Sequence, residues 1–157
     1  MTEKQRNYER ILNAIDAVDG GAEDPETGLR RICEILSERV SYFDWVGFYL
    51  VDPEAERELI LGPYVGEATD HTRIPFGRGI CGQAADREET IVVQDVMAED
   101  NYLSCSIDVK SEIVVPLFRD GCIVGELDID SHQLAPFTEE DRAYLEKVAE
   151  RAVRFVR

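Results

Sequence analysis

With 157 residues and 44% hydrophobic content, the chain can bury one substantial core but not two, so it reads as one domain spanning 1–157. Its formal charge of -16 repels nucleic-acid phosphates and anionic membrane surfaces, and no apolar run approaches the roughly 18 residues that span a bilayer. Met1-Thr2-Glu3-Lys4-Gln5-Arg6 leads into no hydrophobic signal region, which points to a cytoplasmic protein with reduced thiols and no nucleic-acid or membrane partner.

Tyr8, Ile11, Leu12, Ile15 and Val18 recur at helical spacing, and the helix they imply stops at Gly20-Gly21. A second helix follows Asp24-Pro25-Glu26, and its stripe of Leu29, Ile32, Cys33, Leu36 and Val40 places Cys33 in the core. Residues 45–51 are aromatic and β-branched, and Asp52-Pro53 turns the chain toward 58–63, predicting a hairpin. A short helix should begin at Gly82-Gln83-Ala84-Ala85, after a glycine-rich turn. Strands are predicted over 90–93, 112–117 and 122–130, the last two antiparallel across Arg119-Asp120-Gly121. Thr138, with Asp141 three places on, opens a final helix whose apolar stripe runs from Tyr144 to Val156. The pattern is an α+β domain with the terminal helices packed on one face of a mostly antiparallel sheet. The other face is left to the long connections 66–79 and 94–111, candidate lids over a pocket.

Strand alternation puts Leu127 and Ile129 on one face of the 122–130 strand and Glu126, Asp128 and Asp130 on the other. A strand entered through Cys122-Ile123-Val124-Gly125 reads as central, and carboxylates crowded on a central strand indicate a site. The cysteines at 33, 81, 105 and 122 lack zinc-ribbon spacing and, with two histidines, make no finger pattern, so no metal is expected. Lysine is confined to positions 4, 110 and 147, a balance that suits a salt-rich cytoplasm and equally an ordinary acidic protein.

Three segments together carry a family resemblance. They are Arg73-Ile74-Pro75-Phe76-Gly77-Arg78-Gly79-Ile80-Cys81-Gly82, Ser111-Glu112-Ile113-Val114-Val115-Pro116, and Gly125 to Asp130-Ser131. Over about residues 44–142 the chain resembles the free methionine-(R)-sulfoxide reductase branch of the GAF domain superfamily. The resemblance implies a central antiparallel sheet of five or six strands, the terminal helices on one face, a ligand pocket on the other, and a homodimer through those helices. It also implies Cys105 as the catalytic thiol, with Glu112, Asp128 and Asp130 as pocket carboxylates and Trp45 as the aromatic wall. Ten residues before Cys81 these reductases carry another cysteine, where this chain has His71 in a loop one residue longer.

A thiolate that attacks a sulfoxide sulfur needs an acid to protonate the departing oxygen, and Glu112, Asp128 and Asp130 are positioned to supply one. Crowded carboxyls cannot all ionise cheaply, so at least one should stay protonated near neutral pH while another holds an ammonium group. The resulting sulfenic acid needs a second thiol, for which Cys81 is the internal candidate, its thiolate favoured by a helix N-terminus, or an external thioredoxin-like reductant; no bound cofactor is implied. Blander readings stand beside these: Cys81 packing behind a loop, Cys122 structural, His71 solvated, Glu126 at a rim, and Trp45 a plain core aromatic. The reductase reading accounts for the thiol and acids together. A stand-alone small-molecule-binding or redox-sensing module accounts better for the missing cysteine, and for a scaffolding dimer only the terminal helices argue.

Overall fold

The computed structural model describes residues 1–18, 24–103 and 107–157. Six strands form one sheet in the order β3-β2-β1-β6-β5-β4. They are β1 Trp45–Val51, β2 Glu58–Val65, β3 Arg73–Pro75, β4 Ile91–Val93, β5 Ser111–Arg119 and β6 Cys122–Ser131, and every neighbouring pair is antiparallel. Four α-helices complete the α+β architecture: α1 Glu3–Asp16, α2 Pro25–Arg39, α3 Gly79–Arg87 and α4 Glu139–Ala152.

The helix ends follow local chemistry. Thr2 caps α1 and Thr138 caps α4, each in a reciprocal capping box with the residue three places on, while Asp24 caps α2 with Pro25 in its first turn. The sequence expectation that α1 runs on to Gly20-Gly21 falls partly outside the described residues; the helix itself closes at Asp16.

Alternation along the strands sorts the sheet into two apolar layers. Val46, Phe48, Ile113, Val115, Leu127 and Ile129 face α1, α2 and α4 and join Ile11, Leu36 and Leu145 in one cluster. Tyr49, Ile74, Ile80, Cys81 and Val114 belong to a second cluster on the opposite face, beneath α3. Two expectations are corrected here. The connection 66–79 contains β3, and that strand is paired to β2 as an edge; α3 starts at Gly79 rather than Gly82, so a helix as well as loops covers the second face. Among the described residues of the stretch 94–111, Val96–Ala98 form a 3-10 turn.

The terminal helices are locked to each other through Asp141. This fully buried carboxylate accepts hydrogen bonds from Tyr8 at 2.5 Å, Tyr42 at 2.6 Å and Lys4 at 2.8 Å. Tyr8 and Tyr144 stack with ring centroids 4.8 Å apart and planes 2° from parallel, which fixes α1 against α4. Burial pushes the Asp141 carboxyl up, and the donors from Lys4, Tyr42 and Tyr8 outweigh it and hold the group below the usual carboxylate range. No helix among the described residues is long and apolar enough to cross a membrane.

Candidate functional site

The acidic face of β6 lies under α3, between the two longest strand ladders of the sheet. Register sets the neighbours of each carboxyl: Asp130 stands between Trp45 on β1 and Glu112 on β5, Asp128 between Gly47 and Val114, and Glu126 between Tyr49 and Pro116. All four acids are buried, with relative exposures of 6% for Glu112, 0% for Glu126, 2% for Asp128 and 1% for Asp130. Gly47 is what allows this row to close. A Cβ there would meet the Trp45 ring at 2.4 Å, so the indole lies across the glycine on the site's own face.

Helix α3 supplies the thiol. Gly79 adopts φ +66°, a left-handed conformation suited to glycine, and turns the chain from Arg78 into the helix. Its amide donates to Asn101 Oδ1 at 2.8 Å, Asn101 Nδ2 donates to the Gly77 carbonyl at 2.8 Å, and Gln83 Nε2 donates to the Asn101 carbonyl at 2.9 Å. One asparagine thus ties the 94–110 connection to the start of α3. Cys81, in the first turn, is 4% exposed, and its thiol donates to Glu112 Oε2 at 3.8 Å.

These groups border a narrow cavity of about 10 Å³ whose wall includes Tyr49, His71, Arg78, Cys81, Glu112 and Asp128. Leu103 also lines it, while Trp45 and Asp130 are buried in the adjoining register row rather than on this wall. The Trp45 Nε1 donates to the Glu67 carbonyl at 2.9 Å, and its ring stacks on Tyr64 at 5.2 Å. His71, which reads as a solvated loop residue in sequence, lines the cavity, and its carbonyl accepts the Tyr49 hydroxyl at 2.8 Å. The expected nucleophile, Cys105, lies outside the described residues, which end at 103 and resume at 107.

The electrostatics are those of a cluster that carries protons. Burial pushes the Glu126 carboxyl well up, and the neighbouring Asp128 adds to the shift. Asp128 is raised by burial, with hydrogen bonds from Glu112 and Cys81 opposing the shift, and Asp130 is raised well up by burial and by Asp128. The Cys81 thiol is raised by burial and then by Asp128, Glu126 and Glu112. A helix N-terminus favours a thiolate, and that expectation for Cys81 fails here because full burial beside three acids costs more than a first-turn position returns.

Two further expectations change. Glu126 is not at a rim: it is completely buried, and neither carboxyl oxygen has a hydrogen-bond partner among the described residues. Cys122, read as structural, is exposed at the outer end of β6, while Cys33 is in the core as expected. Sequence reading missed Asn101, Tyr49 and Arg78. Tyr49 was legible, since it shares a face with Trp45 by alternation; Asn101 left no local signal; Arg78 stood out only as a single base between two glycines.

An antiparallel sheet with three helices on one face and an acid-lined cavity under a fourth is the arrangement of a GAF domain. A family model described as GAF domain matches residues 22–156, and the chain belongs to that family. Over 145 residues it is 41% identical to GAF domain-containing protein A of Dictyostelium discoideum, a match covering 92% of this chain and 89% of that protein. It is 37% identical over 154 residues to the free methionine-R-sulfoxide reductase of Escherichia coli strain K12, covering 94% of this chain and 89% of that protein. Among solved structures, the free methionine-R-sulfoxide reductase of Neisseria meningitidis, in complex with its substrate, superposes with a TM-score of 0.90 at 44% identity, covering 99% of this chain and 92% of that one.

Proposed function

We propose that the protein reduces free L-methionine-(R)-sulfoxide to L-methionine, with Cys105 as nucleophile. The observation that carries this reading is a buried group of four carboxyls beside a thiol, in which no lysine or arginine pairs with Glu126, Asp128 or Asp130 among the described residues. Such a cluster attracts a cation and keeps protons available near neutral pH, the two things a zwitterionic sulfoxide requires. Leu103 on the cavity wall and the Asn101 clamp support the assignment of Cys105, which follows them in the same connection. The relatives named free methionine-R-sulfoxide reductase support the substrate class.

The Cys105 thiolate attacks the sulfoxide sulfur while a protonated carboxyl of the Glu112, Asp128 and Asp130 group gives its proton to the oxygen. The oxygen passes to Cys105, so cysteine is oxidised to sulfenic acid and the substrate leaves as the thioether. A remaining ionised carboxylate of that group holds the substrate ammonium, and Trp45 backs the acid row from the adjoining strand β1. At the cavity lining, the exposed Arg78 has no ion-pair partner among the described residues and is the counterpart for the substrate carboxylate. That pairing of a base with an acid floor selects a free amino acid over a peptide-bound residue. Condensation of the sulfenic acid with Cys81 expels water and forms a disulfide, which a thioredoxin-like dithiol then reduces.

Position 71 favours a second reading, a ligand-binding or redox-sensing module with weak turnover, because histidine occupies the place of a cysteine. Incubating the reduced protein with free L-methionine-(R)-sulfoxide and with a peptide containing the sulfoxide separates the two. The reductase reading expects methionine from the free substrate only and none from Cys105→Ser; no product with either dithiothreitol or a thioredoxin system overturns it.

A further inference from the structure

We infer that Cys81, Glu112 and Asp128 form a site for a zinc-class divalent cation. One ligand atom from each residue, the Cys81 Sγ and a carboxylate oxygen of Glu112 and of Asp128, can be chosen so that all lie within 4.8 Å of one another. Zinc is bound by thiolate sulfur at about 2.3 Å and by carboxylate oxygen at about 2.0–2.2 Å, so a contraction of roughly an ångström closes the set around one ion. The three residues come from rigid elements, the first turn of α3 and the two central strands β5 and β6.

The unmet polar groups point the same way. Asp128 Oδ1 has no hydrogen-bond partner among the described residues, nor has either carboxyl oxygen of Glu126, and the two side chains are 2% and 0% exposed. Glu126 lies two residues from Asp128 on the same face of β6. A buried acceptor without a donor is costly, and a cation satisfies several such oxygens at once. A thiolate beside two carboxylates selects a borderline-soft metal such as zinc or cobalt over magnesium or calcium, which prefer all-oxygen shells. Three protein ligands leave a fourth tetrahedral position facing the cavity, where water or a ligand atom completes the shell. Binding exchanges the thiol proton for the metal. The sequence expectation of no metal followed from the spacing of cysteines and histidines; here a single cysteine is joined by acids remote in the chain.

The test uses the full-length reduced protein and cobalt(II), whose bond to thiolate gives a near-ultraviolet charge-transfer band. The band should appear in the wild type, persist in Cys105→Ser and vanish in Cys81→Ser, and added zinc should bleach it. A wild type without the band, or a Cys81→Ser variant that folds by circular dichroism and keeps it, overturns the inference. Should Cys81→Ser fail to fold, Asp128→Asn decides: loss of a direct ligand should weaken zinc by at least the roughly 10–100-fold that loss of an outer-shell partner costs, and unchanged affinity overturns the site. None of these readouts involves sulfoxide reduction, so their failure leaves the catalytic reading standing.

Discussion

Glu112 and Asp130 stand directly opposite each other on β5 and β6, and both are buried. Like charges facing across an antiparallel ladder repel, and burial of both groups raises the cost of ionising the two together, so the pair favours holding a proton. The pair is therefore a proton store built into the sheet.

Replacing Glu112 by Gln keeps the shape and a donor but removes the exchangeable acid. Steady-state kinetics on free L-methionine-(R)-sulfoxide should show kcat/KM reduced by about 10²–10⁴-fold, the usual contribution of a positioned general acid. Retention of wild-type kcat/KM would remove Glu112 from the proton path.

Glu126 gives a pH signature of opposite sign to an ordinary surface acid. Its folded-state pKa is raised by burial and by Asp128, so its neutral form is the one the fold accommodates. The stability it contributes is fully present below the ordinary glutamate range near pH 4.3 and is lost as pH rises through the elevated folded value. Glu126→Gln should therefore melt higher than wild type at mildly alkaline pH and show a flatter melting temperature profile between about pH 5 and pH 9. Parallel profiles for the two proteins would contradict the buried, unpartnered carboxyl.

Asp141 should behave in the reverse manner. Its folded-state pKa is lowered by its donors despite burial, so its contribution is present above the ordinary aspartate range near pH 3.9 and is lost as pH falls through the depressed value. Asp141→Asn removes charge-assisted hydrogen bonds to Lys4, Tyr8 and Tyr42, at a cost on the order of 2 kcal/mol or more in urea unfolding at neutral pH. Its acid limb should be shallower than wild type, and an unchanged urea midpoint would show that the node does not hold the terminal helices.

Trp45 is the sole tryptophan, which makes the site optically addressable. Gly47→Ala would place a methyl 2.4 Å from the indole and force the ring away from the Asp128 and Asp130 rows. Overpacking of this kind costs about 1–3 kcal/mol, and the intrinsic fluorescence should shift with the melting temperature. Wild-type fluorescence and stability in the variant would mean that the ring does not lie over Gly47.

Much of this was legible in the chain. Helical stripes such as Leu29, Ile32, Cys33 and Leu36, and the alternation from Glu126 to Asp130, are local periodicities that burial on one face imposes directly. The short edge strand β3 was not, because three residues of Arg73-Ile74-Pro75 carry too little periodicity to show and are ordered by pairing with β2. The start of α3 was missed for a related reason: Gly79 reads as part of a turn until its amide is seen held by Asn101, twenty-two positions away.

Local pattern alone established the α+β class, the helical faces, the core position of Cys33 and the common face of three acids, since each depends on periods of 3.6 or 2 residues along one segment. Only the tertiary structure decided that Glu126 is buried without a partner, that His71 lines the cavity, that Asn101 clamps α3, and that Cys81 donates to Glu112 rather than standing as a thiolate. Those facts depend on register between strands and on burial by α3. The Asn101 clamp and the Cys81 bond to Glu112 join residues 22 and 31 positions apart, and at Cys81 desolvation outweighs the local preference of a helix terminus.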